Sequence, residues 1–235
     1  MSAVKVGVIV FPGSNCDRDC ARGWQAATGM AADFVWHKDS SMPDYEVVII
    51  PGGFSFGDYL RCGAIARFSP VMNEVLRLAK RGSRIIGICN GFQILTEARL
   101  LPGALLRNRD LLFICKDTYL KVENNKTDFS SQYPQGAVIR LPIAHGEGSY
   151  SVNPNGLKKL QDQDRIVLRY CDERGGIKED QAPNGSLDNI AGIVNEEGNV
   201  MGLMPHPERL SEMVLGGDDG RHIFQSIFKA VGGVL

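Results

Sequence analysis

Gly87-Ile88-Cys89-Asn90-Gly91 constrains what this chain can fold into more than any other stretch. Arg84 to Ile88 reads as a buried strand and Asn90 to about Arg99 as a helix, with no residues left over for a loop between them. Residue 89 must then turn the chain from strand to helix alone, in a backbone conformation that side chains rarely tolerate. Glycines two positions before and two after remove the side chains that would collide in so tight a turn. Such a junction is a nucleophile elbow, with cysteine where α/β hydrolases often carry serine. It presents the thiol above the sheet at a helix N-terminus, where the helix dipole favours thiolate over thiol. An arbitrary cysteine is more often a packed core residue; the two glycines and the strand-to-helix position reverse that reading here.

An elbow needs a sheet whose strands are joined by helices, and the rest of the first half supplies one. Val4 to Val10 is a nearly unbroken apolar run, as in a strand buried on both faces. After the turn Pro12-Gly13-Ser14, a helix is expected from about Asn15 to Thr28, then strands over Ala32 to His37 and Val47 to Ile50, the latter closed by Pro51-Gly52-Gly53. Ser69 to Lys80 reads as a helix, with Pro70 in its first turn and Arg81-Gly82 ending it. This alternation predicts a three-layer α/β/α domain with a mainly parallel central sheet. Beyond Pro102 short strands are expected at Leu111 to Cys115, Tyr119 to Glu123, Val138 to Leu141 and Gly148 to Val152. These suggest antiparallel edge strands or a small subsheet. Asn189 to Val194 and Val200 to Met204 flank a hairpin turn. Asp172 to Ser186 reads as a surface loop and Arg221 to Val231 as a closing helix. At 235 residues, 43% of them hydrophobic, the chain suits one domain spanning 1–235 with a self-sufficient core.

Charge narrows the function. The net charge is −1 and both signs are mixed along the chain, so neither nucleic acid nor a membrane surface is an expected partner. Cys16, Cys20, Cys62, Cys89, Cys115 and Cys171 are scattered, without a CxxC pair or zinc-finger histidine spacing. A reduced cytoplasmic compartment and no metal site are therefore expected, and no role beyond packing is assigned to the five cysteines other than Cys89. The N-terminus lacks the charged and apolar regions of a signal peptide, and no apolar run reaches membrane-spanning length.

A thiolate nucleophile needs a base. Of His37, His145, His206 and His222, His206 lies in Met204-Pro205-His206-Pro207-Glu208, directly after a buried strand pattern. Pro207 biases His206 away from helical geometry, and in an extended stretch His206 and Glu208 project on the same side. Glu208 can then hold the imidazole in one tautomer and stabilise its charged form. Cys89, His206 and Gly52-Gly53 all follow strands, and open parallel sheets gather their sites at the carboxyl ends of strands. Bare backbone at Gly52-Gly53, together with the Asn90 N–H, can form an oxyanion hole, although a Gly-Gly pair alone is usually just a turn. No GxxxxGK[ST] or helix-opening GxGxxG occurs, so no nucleotide site is expected on this chain.

Gly87-Ile88-Cys89-Asn90-Gly91-Phe92-Gln93, followed by Pro205-His206-Pro207-Glu208, resembles the class I, triad-type glutamine amidotransferases. Phe11 to Asp17, Pro51 to Arg61, Pro142 to Gly148 and Met204 to Arg209 extend the resemblance, and they are similar to the stand-alone glutaminase subunits of purine biosynthesis within that family. The resemblance implies a flavodoxin-like fold and glutamine as substrate. It implies Cys89 as nucleophile, His206 as base, Glu208 as its orienter, and an oxyanion hole from Gly53 and Asn90. Gln93 and His145 are implied to bind glutamine, with a loop-ordering role for His145 left open beside it. Asp58, Tyr59 and Arg61 are implied to position the oxyanion loop and meet a partner. No cofactor is implied on this chain; ATP and magnesium are implied on a large synthetase subunit, joined by a small accessory subunit. Two rivals remain at this point: another elbow enzyme, such as a cysteine peptidase or a glyoxalase-like stress protein, and a non-catalytic subunit with a vestigial triad.

Overall fold

The computed structural model describes residues 4–235; Met1-Ser2-Ala3, at the head of the chain where no targeting signal was read, lie outside the described residues. The elements in order are β1 (Val6–Val10), α1 (Asp17–Thr28), β2 (Asp33–Trp36), β3 (Val47–Ile50), α2 (Val71–Lys80), β4 (Arg84–Ile88) and α3 (Asn90–Glu97). There follow β5 (Ala104–Leu106), β6 (Ile114–Val122), β7 (Val138–His145), β8 (Ser149–Ser151), α4 (Pro154–Asp162), β9 (Ile166–Cys171), β10 (Ile190–Val194), β11 (Val200–Leu203) and α5 (Arg221–Ala230). Nine strands form one sheet in the order β2-β1-β3-β4-β11-β10-β9-β6-β7. From β2 to β11 neighbouring strands run parallel, and from β11 to β7 antiparallel. β5 and β8 pair separately.

The parallel half holds the core. β3 is buried at every position, as its unbroken apolar sequence demands. Helices cover both faces of the sheet. Trp24 of α1 meets Phe224 and Phe228 of α5 edge-on, with ring centroids 6.3 and 5.9 Å apart. Phe92 of α3 lies over Gly202 of β11, filling the space that a Cβ there would need. This topology sets the carboxyl ends of β3, β4 and β11 side by side, so Gly52, Cys89 and His206 leave the sheet at one rim.

The antiparallel half departs from expectation in instructive ways. The two strands expected over Leu111 to Cys115 and Tyr119 to Glu123 are one continuous strand, β6. Its first half is largely exposed, so no alternation marked it; pairing with β7 carries it through, and β9 joins from Tyr119 on. The apolar Leu111-Leu112-Phe113 instead stands exposed before it. β7 runs past Leu141 to His145 despite Pro142, which an edge strand accommodates because no outer neighbour needs its N–H. Gly148 to Val152 contributes β8 to the small sheet and not to the large one. Asp172 to Ser186 has no regular structure until its end, as expected, but Ala182, Asn184 and Ser186 are buried, so only its first half is a surface loop. β5, α4 and β9 were not expected. α4 does carry a start signal: Asn153 caps it, its Oδ1 accepting from Gly156 N at 2.8 Å, with Pro154 in the first turn.

Candidate active site

Cys89 adopts φ 51° and ψ −105° between β4 and α3, the strained junction expected of an elbow. Its N–H donates to Leu203 O at 2.8 Å, and its carbonyl accepts from Phe92 and Gln93 N–H at 3.0 and 3.2 Å. β11 and α3 thus hold the residue from both sides. A Cβ on Gly91 would strike the Ile50 carbonyl oxygen, and one on Gly87 would lie 2.6 Å from Gly91 O. Neither obstacle is a side chain that can swing aside. Gly91→Ala is therefore expected to cost about 2–3 kcal/mol of stability, read as a lower urea midpoint; a parent-like midpoint would show that the turn has slack.

His206 follows β11 in an extended conformation, anchored by its N–H to Pro142 O at 2.8 Å. Glu208 is not in an extended stretch, as the sequence suggested: Pro207–Leu210 forms a 3-10 turn. The turn still delivers the carboxylate, with His206 Nδ1 and Glu208 Oε1 2.6 Å apart and both side chains buried. Burial opposes charge on His206, but the Glu208 carboxylate outweighs it, aided by the neighbouring Cys89 and Cys16 sulfurs, and its imidazolium is held well above the usual histidine range. Nδ1 being committed to Glu208, Nε2 is the nitrogen left for the thiol side, and it is buried with no hydrogen-bond partner. A Cβ on Gly52 would lie 2.8 Å from His206 Cε1, 3.3 Å from Cys16 Sγ and 3.4 Å from Cys89 Cβ, so three separate stretches converge around this glycine.

The Phe11 to Asp17 segment supports the glycine loop. Cys16 N donates to Gly52 O at 3.2 Å and Phe54 N to Gly13 O at 2.9 Å. Gly53 has φ 139°, and a Cβ there would sit 2.6 Å from Asn15 N. Neither Gly53 N nor Asn90 N has a protein acceptor among the described residues, which leaves both N–H groups available to an oxyanion. The Asn90 side chain turns away, accepting from Ser55 N at 3.1 Å and donating to Gln93 Oε1 at 2.8 Å. Gln93 passes the chain on: its Nε2 donates to Glu147 O at 2.5 Å. Both ends of its carboxamide are engaged, so Gln93 ties the elbow to the 145–148 loop.

His145 is also buried. Its Nδ1 pairs with Asn108 Oδ1 at 3.1 Å, an oxygen that also accepts from Gly148 N at 3.0 Å. Burial, and then repulsion from His206, push it down to about 4, so it is a neutral ring at neutral pH. The loop-ordering alternative thus has direct contacts behind it. Arg61 grips Glu97 with two nitrogens, Nη2 at 2.8 Å, pinning the oxyanion loop to the end of α3. Within that loop Phe56, Asp58 and Leu60 all have positive φ, and Tyr59 and Leu60 are exposed. Asp58 is held above the usual carboxylate range by burial and by Glu147. His37 pairs with Ser69 and His222 with Gln225, away from this centre.

Two residues escaped the sequence reading. The Cys16 sulfur accepts from Arg209 Nη2 at 3.0 Å, and Cys16, His206 and Glu208 place ligand-type atoms within 4.8 Å of one another. Only their places in the motif blocks hinted at this. A cavity of about 130 Å³ opens here, lined by Asn15, Cys16, Gly53, Phe54, Phe113, Ala144, His206 and Arg209. A larger cavity, about 590 Å³, lies instead beside Arg84 and Asn199 at the opposite ends of β4 and β11, away from Cys89, His206 and Glu208, and size alone does not make it the site. No helix among the described residues is long and apolar enough to cross a membrane.

A mixed, mostly parallel sheet with a cysteine elbow and a paired His and Glu at its rim defines a triad-type amidotransferase. Residues 3–217 match the CobB/CobQ-like glutamine amidotransferase domain, and the chain belongs to that family. It is 53% identical to phosphoribosylformylglycinamidine synthase subunit PurQ of Salinibacter ruber, over 98% of both chains. It is 56% identical to the subunit of the same name from Pseudothermotoga lettingae, over 95% of this chain and 94% of the relative. Among solved structures, PurLQS from Thermotoga maritima superposes with a TM-score of 0.85 at 47% identity, over 97% of this chain and 98% of that one.

Proposed function

We propose that this chain is the glutaminase subunit of a phosphoribosylformylglycinamidine synthase. Cys89 attacks the glutamine carboxamide and the Gly53 and Asn90 N–H groups hold the oxyanion. His206, through Nε2, protonates the departing nitrogen, which leaves as ammonia. A glutamyl thioester remains on Cys89, and water activated by His206 releases glutamate. Glu208 keeps the proton on Nδ1 so that Nε2 faces the reaction. The observation that carries this reading is the buried 2.6 Å His206–Glu208 pair beside a strained cysteine elbow. A stability-driven fold gains little from such a pair, whereas an acyl-transfer site needs it.

The ammonia serves a large synthetase subunit, where ATP and magnesium activate formylglycinamide ribonucleotide for conversion to the amidine, with a small accessory subunit completing the complex in the cytoplasm. Supporting this are the relatives' names and the exposed Tyr59, Leu60, Leu111 and Leu112, an apolar margin of the kind partners cover. Co-expression with the synthetase subunit is expected to give a co-purifying complex that forms the amidine from glutamine and ATP. A glutamine-analogue electrophile is expected to modify Cys89 alone. Labelling elsewhere, or a complex that uses ammonia but never glutamine, would favour the rival readings.

A further inference from the structure

We infer that Glu147 is a positioning residue for the oxyanion hole, fastening the strained loop that follows Gly53 to the strand end that follows β7. The inference rests on the glutaminase reading above and extends it to a residue outside the Cys89, His206 and Glu208 set. Phe56, Asp58 and Leu60 have φ of 54°, 54° and 71°, in the left-handed region that side chains avoid. A loop keeps several such residues only where its surroundings over-determine it. Here the fastenings can be named. Phe54 N and Phe56 N hold the start of the loop to Gly13 O and Pro12 O at 2.9 and 2.7 Å. Its middle rests on α3: Ser55 N donates to Asn90 Oδ1 at 3.1 Å, and Asn90 Nδ2 reaches Asp58 Oδ1 at 3.4 Å. At its far end Arg61 grips Glu97, and Cys62 N donates to Glu147 Oε2 at 3.3 Å. This last bond ties the loop to the strand end that carries Ala144, which lines the active-site cavity.

Glu147 is joined to the same centre a second time. Its backbone carbonyl accepts from Gln93 Nε2, and Gln93 Oε1 accepts from the Asn90 Nδ2 that also reaches Asp58. Cys62 follows Asp58 in the same loop, so Asp58, Asn90, Gln93, Glu147 and Cys62 close a ring. Both oxyanion donors adjoin it: one is the Asn90 N–H itself, and the other is the Gly53 N–H at the head of the loop. The mount beneath Glu147 is rigid. Buried Asn108 accepts from Gly148 N at 3.0 Å and donates to His145 O at 2.8 Å. The Cys62 thiol faces the Asp58 and Glu147 carboxylates; burial and those two charges push it well up, so it remains a thiol and adds no third negative charge. Oxyanion donors must sit where charge develops, so a shift of this loop is felt in the transition state more than in glutamine binding.

The test uses the full chain with saturating synthetase subunit and follows glutamate release. Glu147→Ala is expected to lower kcat by about 10–100-fold, part of what a missing oxyanion donor costs, with KM within about threefold of the parent. Glu147→Gln, which keeps an acceptor for Cys62 N, is expected to turn over about tenfold faster than Glu147→Ala. Iodoacetamide alkylation of Cys89 needs the thiolate but builds no oxyanion, so its rate is expected to stay within about twofold of the parent in both variants. A loss confined to KM, alkylation that slows in step with turnover, a Glu147→Gln no faster than Glu147→Ala, or a parent-like kcat in Glu147→Ala would each overturn the inference. Should Glu147→Ala fail to fold, Glu147→Asp, one methylene too short to reach Cys62 N, takes its place: a lowered kcat with parent-like alkylation supports the role, and a parent-like kcat refutes it. A parent chain that releases no glutamate would end the glutaminase reading, whereas an active parent matched by its variants ends this inference alone.

Discussion

Cys89→Ala is expected to release glutamate about 10⁴-fold more slowly or worse, with circular dichroism and thermal midpoint close to those of the parent. The loss is large because the nucleophile acts as one unit with its base: without sulfur there is no thioester, and His206 has nothing to activate. The fold is spared because the N–H and carbonyl of residue 89, and not its side chain, make the contacts to Leu203, Phe92 and Gln93. A second variant separates strain from chemistry. At φ 51° a side chain is strained, so Cys89→Gly is expected to be equally inactive but more stable than Cys89→Ala, by up to about 1 kcal/mol after the entropy that glycine loses on folding. Glutamate release by Cys89→Ala at the parent rate would end the glutaminase reading. A Cys89→Gly variant no more stable than Cys89→Ala would show that the elbow is relaxed.

The parallel half and the elbow were legible because each rests on local rules. Apolar runs such as Val47 to Ile50 can only be doubly buried strands, and Gly87 and Gly91 flank a turn whose crowding dictates them. Pairing of His206 with Glu208 was also foreseen, but by the wrong geometry: an extended stretch was expected and a 3-10 turn does the work. The antiparallel half was harder. Exposed Cys115, Lys116 and Asp117 carry no alternation, and they are strand only because β7 lies alongside. Gln93 shows a third limit. Its carboxamide also bridges Asn90 and the Glu147 carbonyl, partners that only the folded chain brings together. Cys16 was invisible for the same reason: 73 residues of sequence separate it from Cys89, and one glycine's width separates them in space.

Glu208→Gln tests whether the His–Glu pair works through charge or only through shape. Glutamine keeps the size and can still accept from Nδ1, but it carries no charge. Turnover is expected to fall by about 10²–10⁴-fold, mostly in kcat, since the imidazolium formed during transfer loses its stabiliser. The pH dependence of stability is the sharper readout. In the parent the folded imidazolium is held above its unfolded range, so His206 contributes stability that is full below about pH 6.5 and is lost as pH rises through the folded value. In Glu208→Gln the main counterweight to burial is gone and only the Cys89 and Cys16 sulfurs still favour the charge, so the stability that charging His206 gives in acid is largely lost. The variant is therefore expected to melt well below the parent at pH 5, and the gap should narrow steadily towards alkaline pH. Thermal midpoints measured across that range decide the matter. A gap that stays constant, or widens with pH, would mean that His206 is neutral in the resting protein and that Glu208 positions the ring without charging it.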